Sequence, residues 1–370
     1  MTLRALLFAA ALVAAWSLPA ANAAAESALQ QTGALPQGGT YVIDPDTTVD
    51  AAAIALWFRA PGAGYDNSTP GIAELAATAA AVAPLASGKS LYALVHSVGG
   101  ELNVEVYPDI VGIATVVPAS AARRVVAAIT AAYYAPAVDD GAVKTARANA
   151  AVLGVQQRYE ADATLHDLLF KQIFAEGPAH YPPLPVSVAE ITSISTAQIG
   201  AFAKRAFRSE NSILALSGNV DASNLTAVTD GGGPGRMDPP YDSTLAAPPA
   251  SATATGLIGG IGLAWIGPPI TDEKASTALD FIADYLFRDE TGVVTKQLDQ
   301  SASDALVVGQ FITLHDPGVM LVTIGGDHAD QVRDRVLGAL AAMRTPMDAQ
   351  TLERMAVRCA RSIRPMWPMS

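Results

Sequence analysis

The side chains best suited to hold a metal or attack a substrate are five histidines, His96, His166, His180, His315 and His328, and one cysteine, Cys359. No two histidines lie within a helical turn; the closest are 328 − 315 = 13 residues apart. A zinc site usually shows at least one close pair of ligands. A lone cysteine supports neither a disulfide framework nor a cysteine zinc site. His96, shortly before Gly99, reads as a loop or strand-end residue, and His166 as a surface or half-buried residue of an amphipathic helix. There is no Gly-x-Ser-x-Gly elbow, Walker loop or Gly-x-Gly-x-x-Gly fingerprint. Asp139-Asp140 places negative charge at the start of a helix, where the backbone dipole favours it. Gly259-Gly260-Ile261-Gly262 lies at a strand start rather than before a helix, which argues against a phosphate cradle.

One segment has the form of a catalytic helix. In Pro70-Gly71-Ile72-Ala73-Glu74-Leu75-Ala76-Ala77-Thr78 a loop ending in glycine leads into a helix of small apolar residues. It resembles the first helix of the insulinase/pitrilysin/processing-peptidase family of zinc peptidases, where the stretch reads Gly-[Ile/Leu]-Ala-His-x-x-Glu-His. The resemblance implies that position 74 is the first zinc histidine, 77 the glutamate that activates water and 78 the second histidine. This chain has Glu74, Ala77 and Thr78 there. Ala77 cannot move a proton and Thr78 is a poor zinc ligand.

Further segments carry the same resemblance in order. Gly99-Gly100-Glu101-Leu102-Asn103 is similar to the family's Gly-Gly-x-x-Asn strand, which lies beside the zinc and pairs with extended substrate. Leu165–Phe170 and His180-Tyr181-Pro182 resemble the helix and turn that follow. Phe202 to Asp221 resembles the closing helix, the Arg-Pro-x-Asn turn and the Gly-Asp-Val strand end. The third zinc ligand, a glutamate, is implied near Val152 or Leu153, but Asp139 to Tyr159 contains no glutamate. The carbonyl-stabilising Arg and Tyr of the second half align with Val293 and Leu306. Zinc is the cofactor of active relatives; no ligand set for it remains here.

Composition bounds the rest. The chain has 370 residues, 51% of them hydrophobic, enough for two domains with cores. A formal net charge of −12 argues against a nucleic-acid partner. Residues 1–23 read as a secretory signal, with Arg4, an apolar run from Ala5 to Trp16 and Ala21-Asn22-Ala23 as cleavage site. No later run is long enough to span a bilayer, so a secreted or periplasmic location is expected.

The elements that would position these residues follow from periodicity. Strands are expected over Ala53–Arg59, Leu102–Tyr107, Ile110–Val117 and Ser212–Ser217. Helices are expected over Thr69–Val82, Ala119–Ala132, Asp140–Tyr159 and Thr164–Phe174. A further helix runs to Phe207 behind the capping box Ser195-Thr196-Ala197-Gln198. Gly231–Gly235, Pro239-Pro240 and Pro248-Pro249 mark a linker. Beyond it Ile261-Gly262-Leu263-Ala264-Trp265 echoes Ile54-Ala55-Leu56-Trp57 at an offset of 261 − 54 = 207. Asp316 echoes Asp109, and Val332 and Val336 echo Val125 and Ile129, at the same offset. One offset shared by three matches indicates a duplicated unit. The second copy lacks counterparts of Thr164–Asp221, which gives the expectation of a truncated half with an open sheet edge and an exposed patch of core.

The sequence thus predicts an α+β fold of two homologous halves, each with helices packed on a mainly antiparallel sheet. The expected limits are 1–23 for the signal, 40–228 for the first half, 229–252 for the linker and 253–370 for the incomplete second half. The expected function is a secreted, non-catalytic homologue of a zinc metallopeptidase, acting as partner or peptide-binding subunit of an active homologue. Extended peptides would pair near Gly99, Gly100, Leu102, Asn103 and Val104. The alternatives are an active zinc metalloendopeptidase with an unrecognised ligand set, a stand-alone peptide-binding module, and a degraded reading frame.

Overall fold

Alternation along one nine-residue strand sets the first sheet. In β3 (Ala51–Arg59) the residues Ala52, Ile54, Leu56 and Phe58 are buried, and those between are half-buried. A period of two is what a strand with one face on a core requires. The computed structural model describes residues 30–36, 38–59, 69–107, 109–158, 161–174, 188–229, 252–253, 259–288, 292–300, 305–326, 328–342, 348–350 and 352–354. The signal at 1–23, most of the linker, His180-Tyr181-Pro182 and the C-terminal stretch from 355 lie outside the described residues.

Six strands form the first sheet: β1 (Gln31–Ala34), β2 (Thr40–Pro45), β3, β4 (Glu101–Val106), β5 (Ile110–Pro118) and β6 (Ser212–Gly218). Their order is β1-β2-β6-β3-β5-β4, with only the β2–β6 pair parallel. The core face aligns Ile54 with Leu216 and Thr115, and Leu56 with Leu214 and Ile113. Helices α1 (Ile72–Val82), α2 (Leu91–His96), α3 (Ala122–Tyr134), the start of α4 (Asp140–Arg158) and α7 (Thr196–Ala206) belong to this unit. Phe58, Tyr133 and Phe207 meet at its centre, with ring centroids 5.0 to 5.9 Å apart. Helix α1 presents Ala76, Ala77, Ala79, Ala80 and Ala81, all buried, so it packs closely on α7. The capping box opens α7 as the sequence predicts: Ser195 and Gln198 bond each other's backbone amides at 3.3 and 2.9 Å.

A second unit holds the sheet β7-β9-β8, built from β7 (Gly260–Ile266), β8 (Leu306–Ile312) and β9 (Val319–Gly325), antiparallel throughout. On one face Met320, Val322 and Ile324 pack with α8 (Glu273–Phe287), α9 (Val293–Gln300) and α10 (Ala329–Ala342). On the other, Val319 and Leu321 meet Phe170, Ile173 and Phe174 of α5 (Ala161–Ile173) and its end. The Thr323 hydroxyl bonds the Asp162 carboxylate. Residues 149–192, which the sequence places with the first half, thus group with the second sheet. That helix covers the face expected to lie exposed, and among the described residues β7 is terminal in its sheet. Also in chain order is the short α6 (Val188–Ser193).

The duplication is visible in the strand registers. Glu101↔Val116 in the first sheet maps at +207 onto Val308↔Thr323 in the second. Ile54↔Thr115 would map onto Ile261↔Val322, but Ile261 pairs with Ile324. An even slip of two residues keeps every side chain on its face, so the inward and outward sets of β7 are preserved. Val125 and Ile129 on α3 and Val332 and Val336 on α10 are all buried, as equivalent core positions should be.

Candidate functional site

Helix α1 begins where a glycine permits it. Gly71 has φ 86°, a left-handed conformation that costs other residues a steric penalty, and its carbonyl accepts from the Leu75 amide at 3.0 Å. After that start the helix is buried nearly all round. Only Glu74 and Thr78 are half-buried between Ile72 and Val82. They lie four residues apart, hence on one face. The positions that resemble the two histidines are therefore among the three that α1 leaves partly accessible, the third being Val82 at its end.

Position 77 is different. Ala77 is fully buried, and its carbonyl accepts a hydrogen bond from the Tyr133 hydroxyl at 3.0 Å. Tyr133 is itself fully buried, and burial holds its phenol well above the usual tyrosine range. Sequence reasoning gave no role to Tyr133; its place in the apolar run Ala132-Tyr133-Tyr134 reads only as core. Glu74 is also affected by its surroundings: desolvation raises its carboxyl above the ordinary value.

These residues do not fit zinc. Ala77 and Thr78 provide neither a base nor a strong ligand, and Glu74 stands alone on its face. Val152 and Leu153, the implied third-ligand positions, are exposed apolar residues of α4. Among the described residues no three His, Cys, Asp or Glu side chains gather as a metal ion needs. His96 is exposed in the last turn of α2. His166 is half-buried with its ring against Phe170 at 4.5 Å, and desolvation lowers its pKa.

The expected peptide-binding residues fall on a sheet edge. Among the described residues strand β4 is terminal in the first sheet, and α1 and α2 both pack on it. The Tyr107 amide donates to the Ile110 carbonyl at 2.9 Å, one step beyond the Val106↔Val111 pair. Antiparallel bonding alternates, so Glu101, Asn103 and Glu105 turn their backbone groups to β5. Leu102, Val104 and Val106 turn theirs to the open edge. Of the five expected residues, Leu102 and Val104 thus turn their strand backbone groups away from β5. Asn103 instead spends its side chain on Glu105, at 3.2 Å.

The two glycines shape the turn before this strand. Gly99 has φ 86° with open space around its Cα. Gly100 is buried, and a Cβ there would lie 2.6 Å from Val117 Cγ1 and 2.8 Å from the Val116 carbonyl. Both therefore have a structural reason to be glycine, and their amides donate to the His96 and Val95 carbonyls at 3.0 and 3.1 Å.

An aromatic cluster at the end of β4 escaped the sequence reading. The Tyr107 hydroxyl donates to Glu105 at 2.5 Å, and its ring lies 6.2 Å from Trp57. Burial and the adjacent carboxylate push the Tyr107 phenol up to about 12. Gly112 makes room for this: a Cβ there would stand 2.4 Å from the Trp57 ring. The available signal was the period-two spacing of Asn103, Glu105 and Tyr107, which puts three polar groups on one face.

No family model and no curated protein matches the chain. Solved structures do. A peptidase M16 inactive domain from Pseudomonas fluorescens shares 16% identity with a TM-score of 0.71, over 90% of this chain and 84% of that one. A protease from Helicobacter pylori gives 14% and 0.70 over the same shares. Pitrilysin gives 14% and 0.58, over 84% of this chain and 35% of that one. The fold is the one shared by these M16 peptidase structures, as the residues from Pro70 to Asp221 led us to expect.

Proposed function

We propose that this chain is a non-catalytic homologue of M16 zinc peptidases that holds extended peptides at the β4 edge, as partner subunit of an active homologue. The observation that carries this reading is the state of α1. Its accessible face holds Glu74 and Thr78, and position 77 is an alanine sealed under Tyr133. A hydrolase of this kind needs a base and metal-bound water, and neither can be assembled there. What survives is a framework: a helix packed on an edge strand with the backbone groups of Leu102, Val104 and Val106 turned outward. Main-chain bonds from such an edge supply affinity for an extended chain, and the neighbouring side chains supply selectivity.

The similarity to a structure named as an M16 inactive domain supports the non-catalytic part. Another neighbour, in complex III2 from Candida albicans, has a TM-score of 0.66 at 12% identity over 90% of this chain, which supports a role inside an assembly. The signal-like residues 1–23 support action outside the cytoplasm. No described helix is long and apolar enough to cross a membrane.

The test is a titration of the purified chain with an unfolded peptide, followed by calorimetry and by mass spectrometry of the peptide. Binding without cleavage is expected. Val104→Pro removes an outward amide from an edge strand, where proline is tolerated, and should weaken binding at least tenfold. Chelator-sensitive cleavage by a clean preparation would overturn the proposal, as would binding that Val104→Pro leaves unchanged.

A further inference from the structure

The face of the first sheet turned away from its core carries a cluster of aromatic and charged groups. Alternation puts Trp57 of β3, Glu105 of β4 and Tyr107 just beyond β4 on that face, opposite to the buried Phe58 and Leu102. Register brings them together. Trp57 pairs with Gly112 of β5, and Gly112 with Glu105, so the three form one row across three strands. The middle residue of that row has no side chain.

The indole fills the space so left. A Cβ at Gly112 would stand 2.4 Å from Cζ3 of Trp57 and 2.8 Å from its Cε3 and Cη2, so the ring lies over β5. The Tyr107 ring meets it with 6.2 Å between centroids and 34° between planes. Trp57 is half-buried and Tyr107 is 41% exposed, so both rings stay at the surface, beside the exposed Glu105.

Glu105 is held in a fixed orientation. Its Oε2 accepts from the Tyr107 hydroxyl at 2.5 Å, and its Oε1 accepts from the Asn103 side-chain amide at 3.2 Å. One bond to each oxygen sets the plane of the carboxylate. A carboxylate offers about four lone-pair sites, which leaves one on each oxygen. A planar group that donates two N–H bonds in a fork fits those sites, and its flat face can lie against an indole. An ammonium would match the charge but use neither the fork nor the plane. The net charge of −12 favours a cation here.

We propose that Trp57, Tyr107 and Glu105 form a binding site for a guanidinium group, as carried by an arginine side chain. Glu105 accepts its N–H bonds, and the Trp57 ring takes its flat face. The site is built from side chains on the sheet face and does not depend on peptide pairing at the β4 edge. Arg59 shares that face, two residues beyond Trp57, and the experiment separates it from an added guanidinium.

The probe is N-acetyl-arginine amide, titrated into the full chain labelled with fluorotryptophan. The fluorine resonance that disappears in Trp57→Phe reports on the site. It should shift saturably with the arginine amide and stay still with N-acetyl-citrulline amide, which has nearly the same shape without the charge. Glu105→Gln should weaken binding about fivefold. Glu101→Gln, on the same face of β4, should leave it unchanged, as should Arg59→Gln, and all three variants should melt cooperatively. A short peptide with one central arginine distinguishes the sources of the group. A gain over the amide that Val104→Pro abolishes identifies a chain at the β4 edge, and equal affinity identifies a free guanidinium compound. Absence of a saturable Trp57 shift would overturn the proposal, as would equal binding of the citrulline amide. So would equal losses in Glu105→Gln and Glu101→Gln, which would show a diffuse negative field. A clear gain in affinity in Arg59→Gln would overturn it too, because Arg59 would then be the group that occupies the cluster.

Discussion

Ala77 occupies the position on α1 that can least accept a charge. It is fully buried and its carbonyl is held by Tyr133. A carboxylate taken out of water without a partner is strongly penalised, so Ala77→Glu should cost about 3 kcal/mol of stability, measured by urea denaturation. An unchanged midpoint would show that position 77 opens to solvent. Glu74 gives the opposite sign. Desolvation raises its carboxyl pKa in the folded state, so the fold prefers the protonated form. Stability is then present below the unfolded carboxylate value and falls as pH rises through the folded one. Glu74→Gln should therefore stabilise the chain at pH 7 and make no difference near pH 3. Equal destabilisation at both values would mean that Glu74 is held by a partner rather than merely desolvated. Both residues were legible in the sequence as degenerate motif positions. The seal over Ala77 was not, because Tyr133 reaches it across 56 residues.

At the scale of elements, legibility followed locality. The capping box of α7 is written in four adjacent residues and forms as read, so Ser195→Ala should cost about 1 kcal/mol. Thermal melts of the two proteins compare this directly, and an unchanged midpoint would mean that Gln198 alone satisfies the helix start. The central strands β3, β5 and β6 were likewise legible, because each is a run of apolar residues bounded by turn signals. Strands β1 and β2 were not. β2 is a six-residue parallel neighbour of β6, paired to residues about 170 positions away as Thr40↔Ile213 shows, and its own sequence carries a proline and an aspartate. Helix α5 was legible as a helix but not in its destination. Phe170, Ile173 and Phe174 look the same whether they pack on the first sheet or, as they do, against Val319 and Leu321. The 207 offset located the second sheet, yet the two-residue slip between β7 and β9 is a property of pairing that no single strand encodes.

For the whole molecule, the question of catalysis becomes one of metal linkage. A ligand that binds only the folded chain adds RT ln(1 + [L]/Kd) to its stability, about 2.7 kcal/mol when free ligand is a hundred times Kd. A zinc site of even micromolar affinity would thus reveal itself at 100 μM zinc as a clear rise in melting temperature, reversed by a chelator. The fold offers no such site among the described residues: Glu74 and Thr78 face one way without a third partner, and Val152 and Leu153 are exposed. We therefore expect the melting temperature to be the same in 100 μM zinc, in chelator and in plain buffer. The triple change Glu74→His, Ala77→Glu and Thr78→His is the informative control. It restores the helix pattern but not a glutamate near Val152, so it should acquire at most weak zinc stabilisation, offset by the carboxylate forced against Tyr133. A zinc-dependent rise of several degrees in the unaltered chain would require ligands outside the degenerate helix and would return the molecule to the class of working metallopeptidases.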